Sequence, residues 1–217
     1  MADSRLLKKD LFGEIRLVAN GDERHIVRDS STARGWIRWL ARGLLRREAN
    51  VLAALGDLVG VPQLLKVEHD LLARSYLPGN PMHRAKPRDP AYFTAAARLL
   101  RCLHRIGVAH NDLAKEPNLL VRSDGSPAFV DFQLATYSPH RGRLFRLLCY
   151  EDLRHLLKHK RSYCPQYLTR RELSILDNPS LASRVFMSTV KPAYLFVTRR
   201  LLGWSDREGA SDRGDRS

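Results

Sequence analysis

The sequence predicts an α+β fold of two unequal lobes: a small antiparallel sheet carrying one helix, then a reduced, mostly helical lobe. Short strand-like stretches bounded by turn residues fill the first third of the chain. Pro78-Gly79-Asn80-Pro81 can continue neither a strand nor a helix and marks the change of lobe. Beyond it the apolar residues follow a helical period, broken by one tight hairpin. With 217 residues, the chain can bury one good core or two small lobes.

Residues 1–10 contain no apolar stretch and no small-residue cleavage site, so no signal peptide is expected and the chain is assigned to the cytosol. Residues 11–18 and 23–28 read as strands joined by Ala19-Asn20-Gly21-Asp22, which has hairpin-turn chemistry. A helix follows over 34–55, its apolar face set by Trp36, Leu40, Leu44, Val51 and Leu55, with Gly43 as a point of division. Gly60-Val61-Pro62 ends that pattern, and residues 64–68 and 71–76 read as two more strands. The first lobe is therefore 1–77. In the second, 78–204, a helix over 90–107 has Pro near its start and Gly at its end. Further helices are expected over 150–160, over 169–176 with a Thr169 to Glu172 capping box, and over 181–202 with a break at Pro192. The small, polar residues 205–217 read as a disordered tail.

The net charge of +14 attracts anions of every kind: ATP, nucleic acid, a phosphorylated glycolipid or an anionic membrane. Charge alone does not choose among them, and the arginine excess can equally reflect genome composition. Basic residues cluster over 34–47 and 141–171. No apolar run approaches the roughly 18 residues of a membrane span. Cys102, Cys149 and Cys164 have no metal-binding spacing and read as reduced thiols, with Cys102 on the buried face of its helix.

The chemistry concentrates in His110-Asn111-Asp112-Leu113-Ala114-Lys115-Glu116-Pro117-Asn118-Leu119-Leu120-Val121, followed by Phe129-Val130-Asp131-Phe132-Gln133. Asp112, Asn118 and Asp131 are side chains suited to handling protons and a hard cation, on two loops joined by a hairpin. A lone H-x-D would mean little. Here a helix precedes it, and a strand over 119–121, a turn over 123–126 and a strand over 128–130 follow. That order brings Asn118 and Asp131 together.

These motifs resemble the protein-kinase-like superfamily, and within it the small bacterial RIO-type kinases and the lipopolysaccharide-core (Kdo/heptose) kinases. The resemblance implies a two-lobed kinase-like fold that uses ATP and magnesium to phosphorylate a hydroxyl. It implies Asp112 as the catalytic base, Asn118 and Asp131 as magnesium ligands, and His110 as a brace. Lys115 would face the transferring phosphate or else solvent. Gly13 would match the last glycine of the phosphate flap, Arg28 would take the strand-lysine position with Glu48 as its helix partner, and Leu77 would offer backbone hydrogen bonds to adenine.

The sequence departs from the superfamily pattern at several points. Asn111 replaces Arg, Gln133 replaces Gly, and one extra residue separates Asp112 from Asn118. Two flap glycines and the Ala-Pro-Glu of peptide-docking kinases are absent. The acceptor is therefore a sugar hydroxyl of a glycolipid core or a protein Ser/Thr, with the missing docking elements favouring the sugar. Residues 194–204 mix apolar and basic side chains, so they can lie on an anionic inner-membrane face or simply form a last core helix. Two other readings stand beside this one: a kinase-like binding module with little turnover, and a basic nucleic-acid binder resting on charge alone.

Overall fold

The computed structural model describes residues 3–21 and 23–178. The helix expected over 181–202, its break at Pro192, the stretch 194–204 and the tail 205–217 lie outside the described residues. The chain divides into two compact units, Met1–Leu176 and Asp177–Ser217, and the first carries the features below.

The first unit opens on a five-stranded antiparallel sheet. Its strands are β1 (Asp3–Asp10), β2 (Gly13–Asn20), β3 (Glu23–Asp29), β4 (Leu64–Val67) and β5 (Leu71–Ser75), in the order β1-β2-β3-β5-β4. β1 was not expected from the sequence. Asp-Ser-Arg-Leu-Leu-Lys-Lys-Asp lacks the alternation of a half-buried strand, and it becomes one by pairing with β2 from Asp3 opposite Ala19 to Asp10 opposite Gly13. Its charged residues and a bulge between Leu6 and Lys8 suit a sheet edge.

Helix α1 (Arg38–Leu55) follows a 3₁₀ turn at Gly35–Ile37 and runs through Gly43 undivided. Its buried residues are Ala41, Leu45, Glu48, Ala49, Val51, Leu52 and Leu55; Val51 and Leu55 are buried as expected, while at the start Ile37, Ala41 and Leu45 are one residue out of step with the expected 36, 40, 44. Trp36 and Trp39 are 58% and 73% exposed. Periodicity supplies the existence of a stripe, but the surfaces it packs on choose the phase, and here they take the slimmer side chains.

β6 (Asn80–Pro81) lies inside the Pro78–Pro81 stretch that the sequence excluded from strand: Asn80 pairs with Val121 and Pro81 with Leu120 at a sheet edge, where a proline is tolerated, and α2 (Met82–Ala85) comes next. α3 (Pro90–Ile106) starts where Asp89 Oδ1 accepts from Ala91 N at 2.8 Å and stops at Gly107, whose φ of 100° suits the left-handed cap. Cys102 is half-buried on α3, because Leu99, Leu100 and Leu103 occupy its inner seam; Cys164 is the buried cysteine. All three thiols are free.

β7 (Val108–Ala109) pairs with β10 (Thr136–Tyr137), and β8 (Leu119–Val121) lies between β6 and β9 (Pro127–Phe129). α4 (Arg143–Tyr163) exceeds the expected 150–160, since no breaker lies between Gly142 and Cys164. α5 (Arg170–Asp177) carries the capping box: Thr169 N donates to Glu172 Oε2 at 2.8 Å, and Glu172 N to Thr169 Oγ1 at 3.2 Å. One core links these parts, running from Leu52 of α1 through Leu103 of α3 to Phe129 and Phe132 beside the hairpin. Among the described residues no helix is long and apolar enough to cross a membrane.

The observed phase of α1 predicts the outcome of two substitutions. Leu52→Ala should cost about 2–5 kcal/mol in urea unfolding, whereas Trp39→Ala should stay within about 0.5 kcal/mol.

Candidate active site

The loop after β7 is anchored from below. The buried Asp152 of α4 accepts the backbone N–H of His110 at 2.7 Å and of Asn111 at 2.8 Å. Its Oδ2 also lies 3.3 Å from His104 Nε2. A carboxylate this buried is tolerable because charge-assisted bonds replace its water. Asn111 sits at φ 64°, in the left-handed region, and its Nδ2 donates to Leu134 O (2.8 Å) and Thr136 Oγ1 (2.9 Å). The residue in place of the expected Arg thus ties the loop directly to the segment after Asp131.

His110 is fully buried and bridges the two loops. Its Nε2 donates to Val130 O at 3.0 Å, which leaves Nδ1 as an acceptor 3.4 Å from Asp112 N. The ring lies 4.6 Å from that of Phe132. Burial pushes its pKa below the usual histidine value, against the opposing pull of Asp152, Asp131 and Asp112. It is a neutral brace that fixes the residue before Asp131.

Asn118 Nδ2 donates to Asp112 O at 2.9 Å and Asp112 Oδ2 at 3.0 Å. Because both partners are acceptors, the amide orientation is determined, and Oδ1 faces away from Asp112. The extra residue in the loop is absorbed by a 3₁₀ turn at Glu116–Asn118. Tyr163 OH donates to Glu116 Oε2 at 2.7 Å, and His159 Nε2 donates to Leu113 O at 2.8 Å, so α4 holds this turn as well. Lys115, 59% exposed, pairs with Asp112 Oδ2 at 2.9 Å.

Val130 N donates to Asn118 O at 3.0 Å, joining the hairpin base to the loop. Asp131 then turns left-handed at φ 63°, and its carboxylate has no hydrogen bond or ion pair among the described residues. The 3₁₀ turn Phe132–Leu134 that follows needs no positive φ at Gln133, which is why glycine is dispensable there. A hard cation fits this donor set: a free carboxylate and a free amide oxygen, few in number. Among the described residues no cluster of three His, Cys, Asp or Glu forms a closed cage, so the remaining ligands of such an ion would be phosphate and water.

On the sheet side, Arg28 Nη1 donates to Glu48 Oε2 at 2.9 Å, with Glu48 only 1% exposed. Arg74 Nε lies 3.4 Å from Glu48 Oε1, an ion-pair distance without hydrogen-bond geometry. Next to Glu48, Arg47 donates to Ala135 O (2.6 Å), Leu134 O (3.0 Å) and Thr136 Oγ1 (2.7 Å), locking α1 to the segment after Asp131. Leu77 lines a cavity of about 230 Å³ together with Ile26, Arg74, Tyr76, Leu120 and Val130. Gly13 starts β2 at φ 125°, and a Cβ there would overlap the Asp29 carbonyl. Its local requirement is this close strand approach. The turn before it closes on itself, with Phe12 N donating to Asp10 Oδ1 at 2.8 Å.

Compared with solved structures, the chain matches the Rio2 kinase from Chaetomium thermophilum with a TM-score of 0.60 at 16% identity, over 87% of this chain and 67% of that one. It matches the Rio2 kinase-ADP/Mg2+-phosphoaspartate complex from the same organism with a TM-score of 0.57 at 16% identity, over 93% and 71% of the two chains. The fold is protein-kinase-like, of the RIO type. No family model matches the sequence, and no curated protein sequence matches it. At 16% identity the likeness is one of fold.

Within this RIO-type fold, Asp112 and Asn118 are in contact, and Asp131 joins them through Val130. Arg28 and Glu48 form a separate pair on the sheet side. Leu77 and Gly13 stand at the cavity wall and the strand turn. Sequence reading missed Asp152, Arg47 and Arg74. Asp152 left a signal, a carboxylate in phase with the buried Leu156 and His159 of its helix. Arg47 and Arg74 left none, because their partners are distant in sequence.

The neutral brace has a testable pH dependence. An imidazole NMR titration should show His110 taking up its proton below the ordinary value near 6.5. The unfolded chain protonates first, so the stabilisation from neutral His110 is complete above about pH 6.5 and declines as pH falls below it.

Proposed function

We propose that the chain is a magnesium- and ATP-dependent phosphotransferase acting on a hydroxyl. The observation that carries this reading is the contact of Asn118 Nδ2 with Asp112 Oδ2 at 3.0 Å, beside an Asp131 whose carboxylate is left free in a left-handed backbone. The ADP and Mg2+ named in the Rio2 complex support a nucleotide and magnesium for this fold. Asn118 and Asp131 would hold the ion, and a magnesium ion there would neutralise charge on the phosphates.

Asp112 orients the acceptor hydroxyl and accepts its proton late in a loose transition state. Asn118 fixes that carboxylate through its amide, and Lys115 lies against it, ready to exchange Asp112 for the developing phosphate charge. Arg28, held by Glu48, supplies a permanent cation for the phosphates, and Leu77 borders the base cavity. The acceptor in this reading is a sugar hydroxyl of a lipopolysaccharide-type glycolipid, with a protein Ser/Thr as the other candidate. The cytosol is the compartment, with the acceptor presented at the inner membrane face.

A second reading, a binding module with weak turnover, draws on the flap. The tip between β1 and β2 closes through Asp10, and its one glycine serves strand packing, so few N–H groups are offered to phosphate.

Transfer from γ-labelled ATP into lipid and protein fractions of a cell extract tests both readings. Asp112→Ala should abolish label transfer while sparing nucleotide binding, and Asp131→Ala should abolish magnesium-dependent turnover. Retained transfer by pure Asp112→Ala protein would overturn the assignment, and absent transfer by the wild type would leave the binding module.

Arg28→Ala should raise the ATP KM by roughly tenfold or more, the scale of a lost charged contact, and Arg28→Lys should retain activity. Steady-state kinetics decide. An unchanged KM in Arg28→Ala would exclude Arg28 from the phosphate site.

A further inference from the structure

Helix α1 and the turn before it carry a surface that the core does not use. Trp36 is 58% exposed and Trp39 73% exposed. Along α1, Trp39, Gly43, Arg46 and Arg47 are spaced i, i+4, i+7 and i+8, so they share one helix face, and all four are exposed. Trp36 stands three residues before Trp39, in the 3₁₀ turn Gly35–Ile37.

The charge of this stretch has one sign. From Ser30 to Arg47 the chain has five arginines and no acidic residue. Arg42 is neutralised by Asp70, with Nε 2.6 Å from Oδ1. Arg47 donates to the carbonyls of Leu134 and Ala135, which carry no charge to cancel its own. Arg34 and Arg46 are exposed, and neither side chain has a hydrogen bond or ion pair with the described residues.

A lone exposed indole is ordinary. Two of them three residues apart, among uncompensated cations, call for a partner that accepts apolar rings and positive charge together. A second copy of the chain is a poor one, because an isologous contact would set this cationic stretch against itself. Single-stranded nucleic acid is held in a basic groove with aromatic platforms, whereas these residues form the outer face of a helix. An anionic bilayer meets both needs. Indoles settle at the headgroup level, with the ring toward the acyl chains and the N–H toward water. Arginines beside them are drawn to the negative surface of the leaflet.

We propose that this face of α1, with the turn before it, seats the protein on an anionic membrane surface. Arg47 ties the same face to the segment after Asp131. On the phosphotransferase reading given above, the leaflet that receives the indoles also carries the acceptor.

Co-sedimentation of the full chain with vesicles tests this, using phosphatidylcholine alone and phosphatidylcholine mixed with phosphatidylglycerol. Wild type should bind the anionic vesicles in preference to the neutral ones and be released by added salt. Trp36→Ala/Trp39→Ala, which removes only exposed side chains, should keep its fold and bind roughly tenfold more weakly. Arg46→Ala should bind about fivefold more weakly. In a Trp204→Phe chain the remaining indoles are Trp36 and Trp39, and their emission should shift to the blue on anionic vesicles. Absence of binding to anionic vesicles at low salt overturns the inference. So does undiminished binding by the double variant, which moves the contact elsewhere. A dimer in light scattering, or a gel shift with RNA, that the double variant loses in place of vesicle binding overturns it in favour of that partner. None of these outcomes touches the phosphotransferase reading. That reading alone falls if wild type binds vesicles through the two indoles but does not bind Mg·ADP in a calorimetric titration.

Discussion

The buried carboxylate of Asp152 is the constraint on which the rest of the site depends. It accepts two successive backbone N–H groups, from His110 and Asn111, at 2.7 and 2.8 Å. Successive amides can converge on one carboxylate only if the chain turns sharply, and Asn111 provides the turn at φ 64°. Such a conformation costs a non-glycine residue about 1–3 kcal/mol unless surrounding bonds hold it. Asp152 and the Asn111 side chain supply those bonds. From that anchor, His110 reaches the Val130 carbonyl, and Asp112 is delivered to the Asn118 amide.

A second frame comes from α1. Glu48 and Arg47 are neighbours in sequence, yet they point to opposite partners: Glu48 to Arg28 of the sheet, Arg47 to the carbonyls of Leu134 and Ala135. One helix therefore registers the cation pair against the segment carrying Asp131. Glu48 lies between two arginines, so a single carboxylate holds two guanidinium groups on the sheet side.

The departures from the expected kinase motifs have separate physical explanations. The extra residue before Asn118 is taken up in a 3₁₀ turn that Tyr163 holds in place, while His159 holds Leu113 just before it. Gln133 is acceptable because its backbone never enters the glycine region. Asn111 replaces a long cation by a short amide that bonds the Asp131 segment directly. The flap is different in kind: Gly13 answers to the Asp29 carbonyl, and the turn before it closes through Asp10.

By itself the sequence determined what depends on neighbours along the chain. The Pro90 start and Gly107 stop of α3, the capping box at Thr169 and the hairpin over 119–129 are local chemistry, and all are present. So is the approach of Asp112 to Asn118, six residues apart. The tertiary structure alone decided what depends on pairing across distance. β1 exists because β2 offers it a ladder; its own alternation is too weak to announce it. The first half of the α1 stripe fell one residue away from the periodic guess because packing partners, not period, set the phase, while Val51 and Leu55 are buried as expected. Asp152, Arg47 and Arg74 acquire their roles from groups 26 to 89 residues away. A side chain's chemistry is local information, but its partner is set by the fold.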